Sequence, residues 1–225
     1  MAIIQNGSPL FSGDAGSGPS CIRQYILEND WLDAIIQLST DQFMNTGIST
    51  YIWVLSKDKP DYRAGKVQLI DASHCCEPRR KNIGTKRNDI TDLCRGLIVR
   101  AYGEYRDGAV YGDKGGVYCE SKVFGSEEFG YNKIVVERPL RDEQGEIVLK
   151  KGKPVADPAL RDTENVPLVQ DIDYYFRREV LPYAPDAWID YKKTKVGYEI
   201  PMTRYFYEYQ PPEPVEDIVE RITAL

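Results

Sequence analysis

Residues 43–47 carry side chains able to hold a planar, hydrogen-bonding ligand. Phe43 offers a ring for stacking, Asn45 and Thr46 offer an amide and a hydroxyl, and Gly47 frees the backbone to turn. A nucleic-acid base that has left its stack is held by these two kinds of contact, edge hydrogen bonds and stacking. The residues alone favour a plainer interpretation, a turn with Phe43 in the core, so both interpretations stay open.

One dense group of cations lies between residues 78 and 88. Such a group can hold DNA phosphates by neutralising charge and releasing counterions. A solvated loop explains the pattern equally well. The net charge of the chain is −6, so any DNA contact must be local. The candidate phosphate contacts are Arg79, Arg80, Lys81, Lys86 and Arg87.

The sequence predicts no catalytic residue and no metal site. His74 is the only histidine, and it stands beside Cys75 and Cys76. Adjacent side chains point apart on most backbones and no Cys-x₂-Cys pair exists, which favours reduced, incidental thiols over metal ligands. Ser73 and His74 cannot form a nucleophile–base pair through sequence adjacency alone.

Buried strands are predicted on both sides of the polar stretch. Short apolar runs rich in β-branched and aromatic residues occur at residues 2–4, 34–36, 51–55 and 66–71. Strands of an α/β sheet would place residues 45–47 on the rim, where ligands usually bind.

A helix is predicted to begin at the N-cap Ser20 and to bury Ile22, Tyr25 and Ile26. The glycine-rich stretch before it, residues 13–18, lacks the Gly-Lys-Ser/Thr ending of a phosphate loop. A flexible surface connection is the favoured interpretation.

Later elements are predicted from the same rules. Asn88 or Asp89 is expected to cap an amphipathic helix, and residues 133–138 and 146–150 are expected to pair as a hairpin. A further helix opens at Asp171 and buries Ile172, Tyr175, Phe176 and Val180.

A final helix is predicted from Pro214. Its uncapped apolar stripe favours docking on a partner, through Val215, Ile218, Val219 and Ile222.

Composition sets broad limits. With 42% hydrophobic and 28% charged residues, the 225-residue chain has ordinary soluble composition and can bury a core. No apolar run approaches the roughly 20 residues of a membrane helix, and the N-terminus lacks a signal-peptide pattern. We expect a cytoplasmic protein that does not enter a membrane.

Several stretches, in this order, resemble the later part of the modification (methylase) subunit of type I restriction-modification systems. They lie at residues 6–11, 13–18, 26–32, 43–48, 50–55, 66–72, 130–134, 136–140, 162–167 and 195–201. The resemblance implies an α/β fold: a partial Rossmann-like methyltransferase sheet with later strands only, then a mixed α+β region ending in a helix. It places the methyltransferase part at residues 1–73 and the C-terminal region at residues 74–225.

That subunit is an adenine-N6 DNA methyltransferase dependent on S-adenosylmethionine. The resemblance implies that four residues lie at the rim of the pocket for the flipped adenine: Phe43, Asn45, Thr46 and Gly47. With the resemblance, base binding is therefore favoured over a plain turn with Phe43 in the core. It also implies DNA, a specificity subunit and the missing N-terminal methylase half as partners.

Two sequence motifs required for adenine-N6 methylation are absent from the sequence: a glycine-rich turn that binds the cofactor and an Asn-Pro-Pro-Phe-type tetrad. We therefore expect a fragment that binds no cofactor alone and is inactive alone, although its family is enzymatic. The alternative is a non-catalytic interaction module that binds a specificity or methylase subunit. An intact enzyme of unfamiliar mechanism is the least favoured hypothesis.

Overall fold

The computed structural model describes residues 1–209, 212 and 214–223, with residues 216–218 and 220 described by their backbone alone. The strands are β1 (Ala2–Asn6), β2 (Leu32–Leu38), β3 (Thr50–Leu55), β4 (Lys66–Ala72), β5 (Glu77–Ile83), β6 (Lys86–Asp89), β7 (Ala109–Gly112), β8 (Tyr118–Gly125), β9 (Gly130–Glu137), β10 (Leu149–Lys150), β11 (Lys153–Pro154), β12 (Asp162–Pro167), β13 (Trp188–Ile189) and β14 (Lys195–Tyr198). The helices are α1 (Ser8–Phe11), α2 (Gly18–Glu28), α3 (Asp92–Glu104), α4 (Ile172–Tyr175), α5 (Met202–Phe206) and α6 (Val215–Thr223).

Six strands form the main sheet, in the order β1-β3-β2-β4-β8-β7. β2 and β4 pair in parallel, whereas every other neighbouring pair is antiparallel. Because β1 and β2 are both antiparallel to β3, they run parallel to each other. A mixed sheet with helices packed against it confirms the predicted α/β class and the positions of the four predicted strands. The predicted burial of the first strand is wrong, because β1 is mostly exposed.

Both faces of the main sheet are covered near its centre. On the first face Trp53, Ile35 and Leu69 lie side by side in register and pack with α2, α5 and Phe129. On the second face Ile36 and Ile70 pack against α3. Since β2 is buried on both sides, its sequence is a nearly continuous apolar run rather than an alternating one.

Helix α2 turns a different face to the core than its sequence predicts. Ser17, not Ser20, is the N-cap. Arg23 is buried because its guanidinium donates to the Tyr198 carbonyl at 2.5 Å, while Ile22 and Tyr25 are 63% and 57% exposed. The predicted burial of Ile22 and Tyr25 is therefore wrong, whereas Ile26 does pack against the first core.

Helix α3 begins later than predicted. Thr91 is the N-cap, and its side chain accepts a hydrogen bond from the Cys94 amide. Asn88 and Asp89 cannot serve as caps because they belong to β6, which pairs with β5 in a hairpin. The apolar spacing of the sequence predicts one buried face that includes Leu93, Cys94, Ile98 and Ala101. The helix does bury Cys94, Ile98 and Ala101, while Leu93 is exposed.

A second sheet is built around β9. Strands β12, β13 and β14 all pair antiparallel with β9, and residues 146–150 do not. The predicted hairpin is therefore wrong: β9 is a buried central strand, and the exposed β10 pairs with β11 instead. The predicted helix at Asp171 is confirmed, with Asp171 as N-cap of α4 and a π-helical continuation at Phe176–Val180. Phe176 and Val180 are buried as predicted, whereas Ile172 and Tyr175 are only half-buried.

The predicted final helix is present in the described residues. Helix α6 spans Val215–Thr223, and none of the helices in residues 1–209 and 214–223 is long and apolar enough to cross a membrane.

Candidate functional site

Two loops meet at one edge of the main sheet. β2 and β4 are parallel neighbours, and Leu38 lies opposite Ala72 where both strands end. The loop at residues 39–49 follows β2, and the β5–β6 hairpin follows β4. Ligands of α/β sheets bind beyond the carboxyl ends of such strands.

The loop at residues 39–49 contains a well-defined turn whose apolar side chains are exposed. Phe43 and Thr46 form a bridge across the turn, and Asn45 between them has φ +64°, a left-handed conformation that asparagine tolerates well. The Phe43 side chain is 38% exposed and lies outside the cores, so the interpretation that buried it is wrong. Thr46 is half-buried and Gly47 is exposed.

The base of this loop is anchored to the basic hairpin. The Arg87 amide donates to the Asp41 carbonyl at 3.0 Å. Lys86 Nζ donates to the Gln42 carbonyl and Asn88 Nδ2 to the Thr40 carbonyl, each at 3.0 Å. The structure thus brings together two sets of predicted site residues that are about 40 positions apart in the chain.

The five cations of the hairpin divide into two groups. Arg79 and Lys86 are half-buried and pair with Asp89, and the hydrogen bond from Lys86, followed by those from Arg79, lowers the pKa of that carboxyl. Arg80, Lys81 and Arg87 are exposed and have no ion pair with any described residue. The first group therefore shapes the hairpin, and the second leaves its charge available to an anion.

An acidic cavity of about 310 Å³ lies along the same edge, beyond β4. Asp71, Glu120 and Glu208 line it, and Lys114 bridges the two glutamates. Because carboxylates repel phosphate, a nucleic-acid backbone at this edge is expected on the hairpin side.

The side chains of His74 and Cys75 have different surroundings. His74 stacks on Tyr118 with ring centroids 4.7 Å apart. Cys75 is buried, where its hydrogen bond to Cys119 and its burial raise the pKa of the thiol. Within the part of the chain that the structure describes, no group of three or more His, Cys, Asp or Glu side chains could hold a metal ion.

The glycine-rich stretch at residues 13–18 contacts the second sheet through an ion pair. The Asp14 carboxylate accepts two hydrogen bonds from Lys133 Nζ at 2.8 Å, which lower the pKa of Asp14. The position of a Cβ at Gly16 lies 3.3 Å from the Lys195 side chain. Side chains of the second sheet therefore approach this turn at Asp14 and Gly16, whereas a Cβ at Gly18 would meet nothing within 4 Å.

The terminal helix presents an apolar stripe to solvent. Val215, Val219 and Ile222 are 70%, 51% and 66% exposed. The Ile218 side chain, also predicted to dock on a partner, lies outside the described residues.

Sequence reasoning missed a surface that α2 and β1 form. It treated Ile22 as a core residue and did not consider Arg23. Arg23 interrupts the apolar periodicity of α2, and this is the sequence signal that could have indicated which face of the helix is buried.

Comparisons with known proteins find relatives among type I methylase subunits. Similar proteins include two methylase subunits of Methanocaldococcus jannaschii. The type I restriction enzyme MjaIX methylase subunit is 36% identical over 76 residues, which are 33% of this chain and 14% of that protein. The type I restriction enzyme MjaVIII methylase subunit is 30% identical over 107 residues, 47% of this chain and 17% of that protein. The matched segments thus span less than one fifth of the length of these relatives.

A crystal structure of the type I restriction-modification system methyltransferase subunit from Streptococcus thermophilus is also similar. It shares 29% sequence identity over 57% of this chain and 23% of that chain, with a TM-score of 0.44. The sequence pattern of the N-6 DNA Methylase family matches residues 1–122. Because this match spans more than half of the 225 residues, the chain belongs to the N-6 DNA methylase family.

Proposed function

We propose that this chain supplies the later part of the modification subunit of a type I restriction-modification system. The whole subunit transfers a methyl group from S-adenosylmethionine to N6 of adenine in DNA. The main sheet is then the later portion of a Rossmann-like methyltransferase sheet, with β1 as its fifth strand. Residues 1–73 belong to the methyltransferase part and residues 74–225 to the C-terminal region, and this division stays a prediction. Family membership and the similarity to type I methylase subunits support the proposal.

One observation carries the proposal: the basic hairpin is hydrogen-bonded to Thr40 and Gln42, at the base of the turn at residues 43–47, at the carboxyl edge of the sheet. In this site Asn45 and Thr46 offer hydrogen bonds to the edge of an extruded adenine, and the exposed Phe43 ring offers a stacking surface. Arg80, Lys81 and Arg87 hold the phosphates that flank the extruded nucleotide.

The chain acts in this reaction together with an N-terminal methylase half. It contains no Asn-Pro-Pro-Phe tetrad, and Lys133 and Lys195 approach the glycine-rich turn at residues 13–18. We expect it to bind no S-adenosylmethionine and to methylate no DNA by itself. In the assembled enzyme its residues position the base and the DNA backbone.

A specificity subunit is the partner proposed for α6. An exposed stripe of aliphatic side chains on a surface helix fits the apolar face of another helix. We expect the double variant Val219→Asp and Ile222→Asp to lose capture by a type I specificity subunit. Exposed Leu93→Asp and Val99→Asp on α3 provide the matched control. Equal capture of both double variants would contradict this docking.

A second candidate function is a non-catalytic interaction module. The exposed stripe of α6 favours it, because partner binding requires no reaction chemistry. In that case the hairpin makes no contribution to DNA affinity.

The proposed phosphate contacts can be tested on the isolated chain. We expect Arg80→Ala, Lys81→Ala and Arg87→Ala together to weaken binding to a short DNA duplex at low salt by about tenfold or more. The slope of log K against log salt is expected to fall by roughly 0.9 for each phosphate that the variant no longer neutralises.

The matched control removes three exposed lysines from the far hairpin, Lys150→Ala, Lys151→Ala and Lys153→Ala. Fluorescence anisotropy on labelled duplex measures both variants. The same loss in both variants, or in neither, contradicts the assignment of phosphate contacts to the β5–β6 hairpin.

A further inference from the structure

Two tight turns have neighbouring tips at the carboxyl edge of the main sheet. The turn at residues 43–46 has Met44 and Asn45 at its tip, and the β5–β6 hairpin has Gly84 and Thr85 at its tip. The position of a Cβ at Gly84 lies 3.7 Å from the amide oxygen of Asn45. The two turns therefore present their tips to the same ligand.

Both tips carry large apolar side chains that the chain itself does not cover. Met44 is 62% exposed, and Ile83, the residue before the hairpin turn, is 46% exposed. Ile48, which follows the first turn, is 55% exposed, and the Phe43 ring beside Met44 is exposed as well. None of these four side chains belongs to the three hydrophobic cores. Single exposed apolar residues are ordinary on a protein surface, whereas a group of them marks a binding site.

The surroundings of these apolar side chains are cationic. Arg80 and Lys81 precede Ile83 on β5, and Arg87 lies on β6. All three are exposed and have no ion pair with any described residue. Apolar tips flanked by unpaired cations are complementary to DNA, which carries phosphates on its outside and apolar base faces inside its stack. The charge therefore favours DNA over a protein as the ligand of the tips.

The shape of the hairpin allows its tip to reach the bases. A two-stranded ribbon fits the major groove of B-DNA. DNA-binding proteins that insert side chains between base pairs use apolar residues for this purpose, among them isoleucine and methionine. Met44 and Ile83 are thus the two side chains whose type and position suit insertion.

We propose that Met44 and Ile83 insert into the base stack of DNA and fill the gap that the extruded adenine leaves. The inference rests on the proposed function, which places the extruded adenine against Phe43 and Asn45. Extrusion breaks the stacking of the base on both of its neighbours, and an apolar side chain in the gap replaces part of those contacts. Met44 and Ile83 position the DNA, and the cations of the hairpin hold its backbone.

The test compares two short duplexes of the same sequence, one fully paired and one that lacks a single adenine base at its centre. A position without a base offers the gap at no cost in unstacking, so an inserting side chain favours it. Fluorescence anisotropy at low salt measures the affinity of the full chain for each labelled duplex. We expect the parent chain to bind the duplex with the missing base about tenfold more tightly.

A double variant removes the apolar side chains and keeps every charge. We expect Met44→Ala with Ile83→Ala to bind the two duplexes with affinities that agree within twofold. Met44→Leu with Ile83→Leu restores the preference, because it returns apolar volume to both tips. Circular dichroism checks that each variant keeps the fold of the parent chain.

The matched control removes two exposed leucines near the far hairpin, Leu149→Ala with Leu160→Ala. These side chains are 61% and 45% exposed, close to the values of Met44 and Ile83. The control is expected to keep the tenfold preference of the parent chain.

The variant without Arg80, Lys81 and Arg87 separates this inference from the proposed function. It weakens binding to both duplexes and leaves the ratio of the two affinities unchanged. A parent chain without preference, in which these cations still contribute to affinity, overturns the insertion but agrees with the proposed phosphate contacts. A chain that binds neither duplex counts against the proposed function and overturns the insertion with it.

Two results of the alanine double variant also overturn the insertion. The first is a preference for the missing base that survives in Met44→Ala with Ile83→Ala. The second is an unchanged preference together with lost capture by a type I specificity subunit, which assigns the tips to a protein partner.

Discussion

Asn45 combines two roles at the scale of a single residue. Its φ of +64° closes the turn between Phe43 and Thr46, and its exposed amide is the proposed contact with the base edge. A left-handed conformation costs residues with a Cβ roughly 1–2 kcal/mol, which asparagine partly avoids through local hydrogen bonds. Structure and binding therefore both require a small polar residue here, and substitutions can separate the two requirements.

We expect Asn45→Gly to preserve the stability of the chain to within about 0.5 kcal/mol, because glycine adopts this φ freely. Asn45→Ala is expected to lower the free energy of unfolding by about 1 kcal/mol. Urea titration measures both. Both variants lose the amide, so methylation by the assembled enzyme falls in each; a glycine variant with full activity would remove Asn45 from the proposed contact.

Arg23 shows where residue-level prediction fails. The spacing of Ile22, Tyr25 and Ile26 predicts their burial, and intrinsic hydrophobicity cannot reveal that the Tyr198 and Pro9 carbonyls, far apart in sequence, both accept hydrogen bonds from Arg23. Asn45 is the opposite case, because the stretch Asn45-Thr46-Gly47 by itself indicates a turn.

At the scale of elements, the second sheet depends on a charged cluster at the end of β9. Glu137 is 2% exposed, and it accepts hydrogen bonds from Arg161 at 2.9 Å and Lys193 at 2.8 Å. Burial raises the pKa of Glu137, but the hydrogen bonds from Arg161 and Lys193 outweigh burial, so the pKa is lowered overall. The cluster joins the segments on either side of β9.

We expect Glu137→Gln to lower the free energy of unfolding by about 2 kcal/mol at neutral pH, the contribution of hydrogen bonds to a charged group. A carboxyl with a lowered folded-state pKa stabilises the fold above its unfolded-state pKa. The stabilisation is lost as the pH falls through the folded-state value. The difference between parent and variant should therefore shrink as the pH falls below the ordinary glutamate value of 4.5.

Denaturant titrations between pH 7 and pH 3 measure this difference. Glu143→Gln, an exposed glutamate in the segment between β9 and β10, is the control and is expected to change stability by less than about 0.5 kcal/mol. A difference for Glu137→Gln that does not depend on pH contradicts the assigned role of the ion pairs.

Element prediction succeeded where the sequence is locally decisive. β2 and β3 are apolar runs of strand length, and Asp171 followed by its apolar spacing indicates a helix. The predicted pairing of residues 133–138 with residues 146–150 failed because β9 finds its partners about 30 and 60 residues later, in β12 and β14. Local pattern carries no information on such pairings, and the contact between the basic hairpin and the turn at residues 43–47 was unforeseeable for the same reason.

At the scale of the whole molecule, the open edge of β1 predicts how the isolated chain behaves. Ile4 is 53% exposed on β1, whose outer edge pairs with no strand among the described residues. Exposed edges and apolar patches promote self-association. We expect the chain alone to be of low stability and to self-associate as its concentration rises, as measured by sedimentation velocity.

Ile4→Lys is expected to restore a monomer, because lysine on an edge strand blocks strand pairing. Val99→Lys on α3 serves as the control and leaves self-association unchanged. A parent chain that stays monomeric at high concentration and unfolds cooperatively at high temperature would contradict this expectation.

The central proposal is that this chain positions DNA for a methyl transfer whose cofactor-binding and catalytic motifs lie outside residues 1–225. The most direct measurement is incorporation of labelled methyl groups from S-adenosylmethionine into DNA. It compares the chain alone with the chain combined with the N-terminal part of the MjaIX methylase subunit and a matching specificity subunit. We predict no incorporation by the chain alone and N6-methyladenine in the combined sample. Labelled adenine produced by the isolated chain would contradict the account.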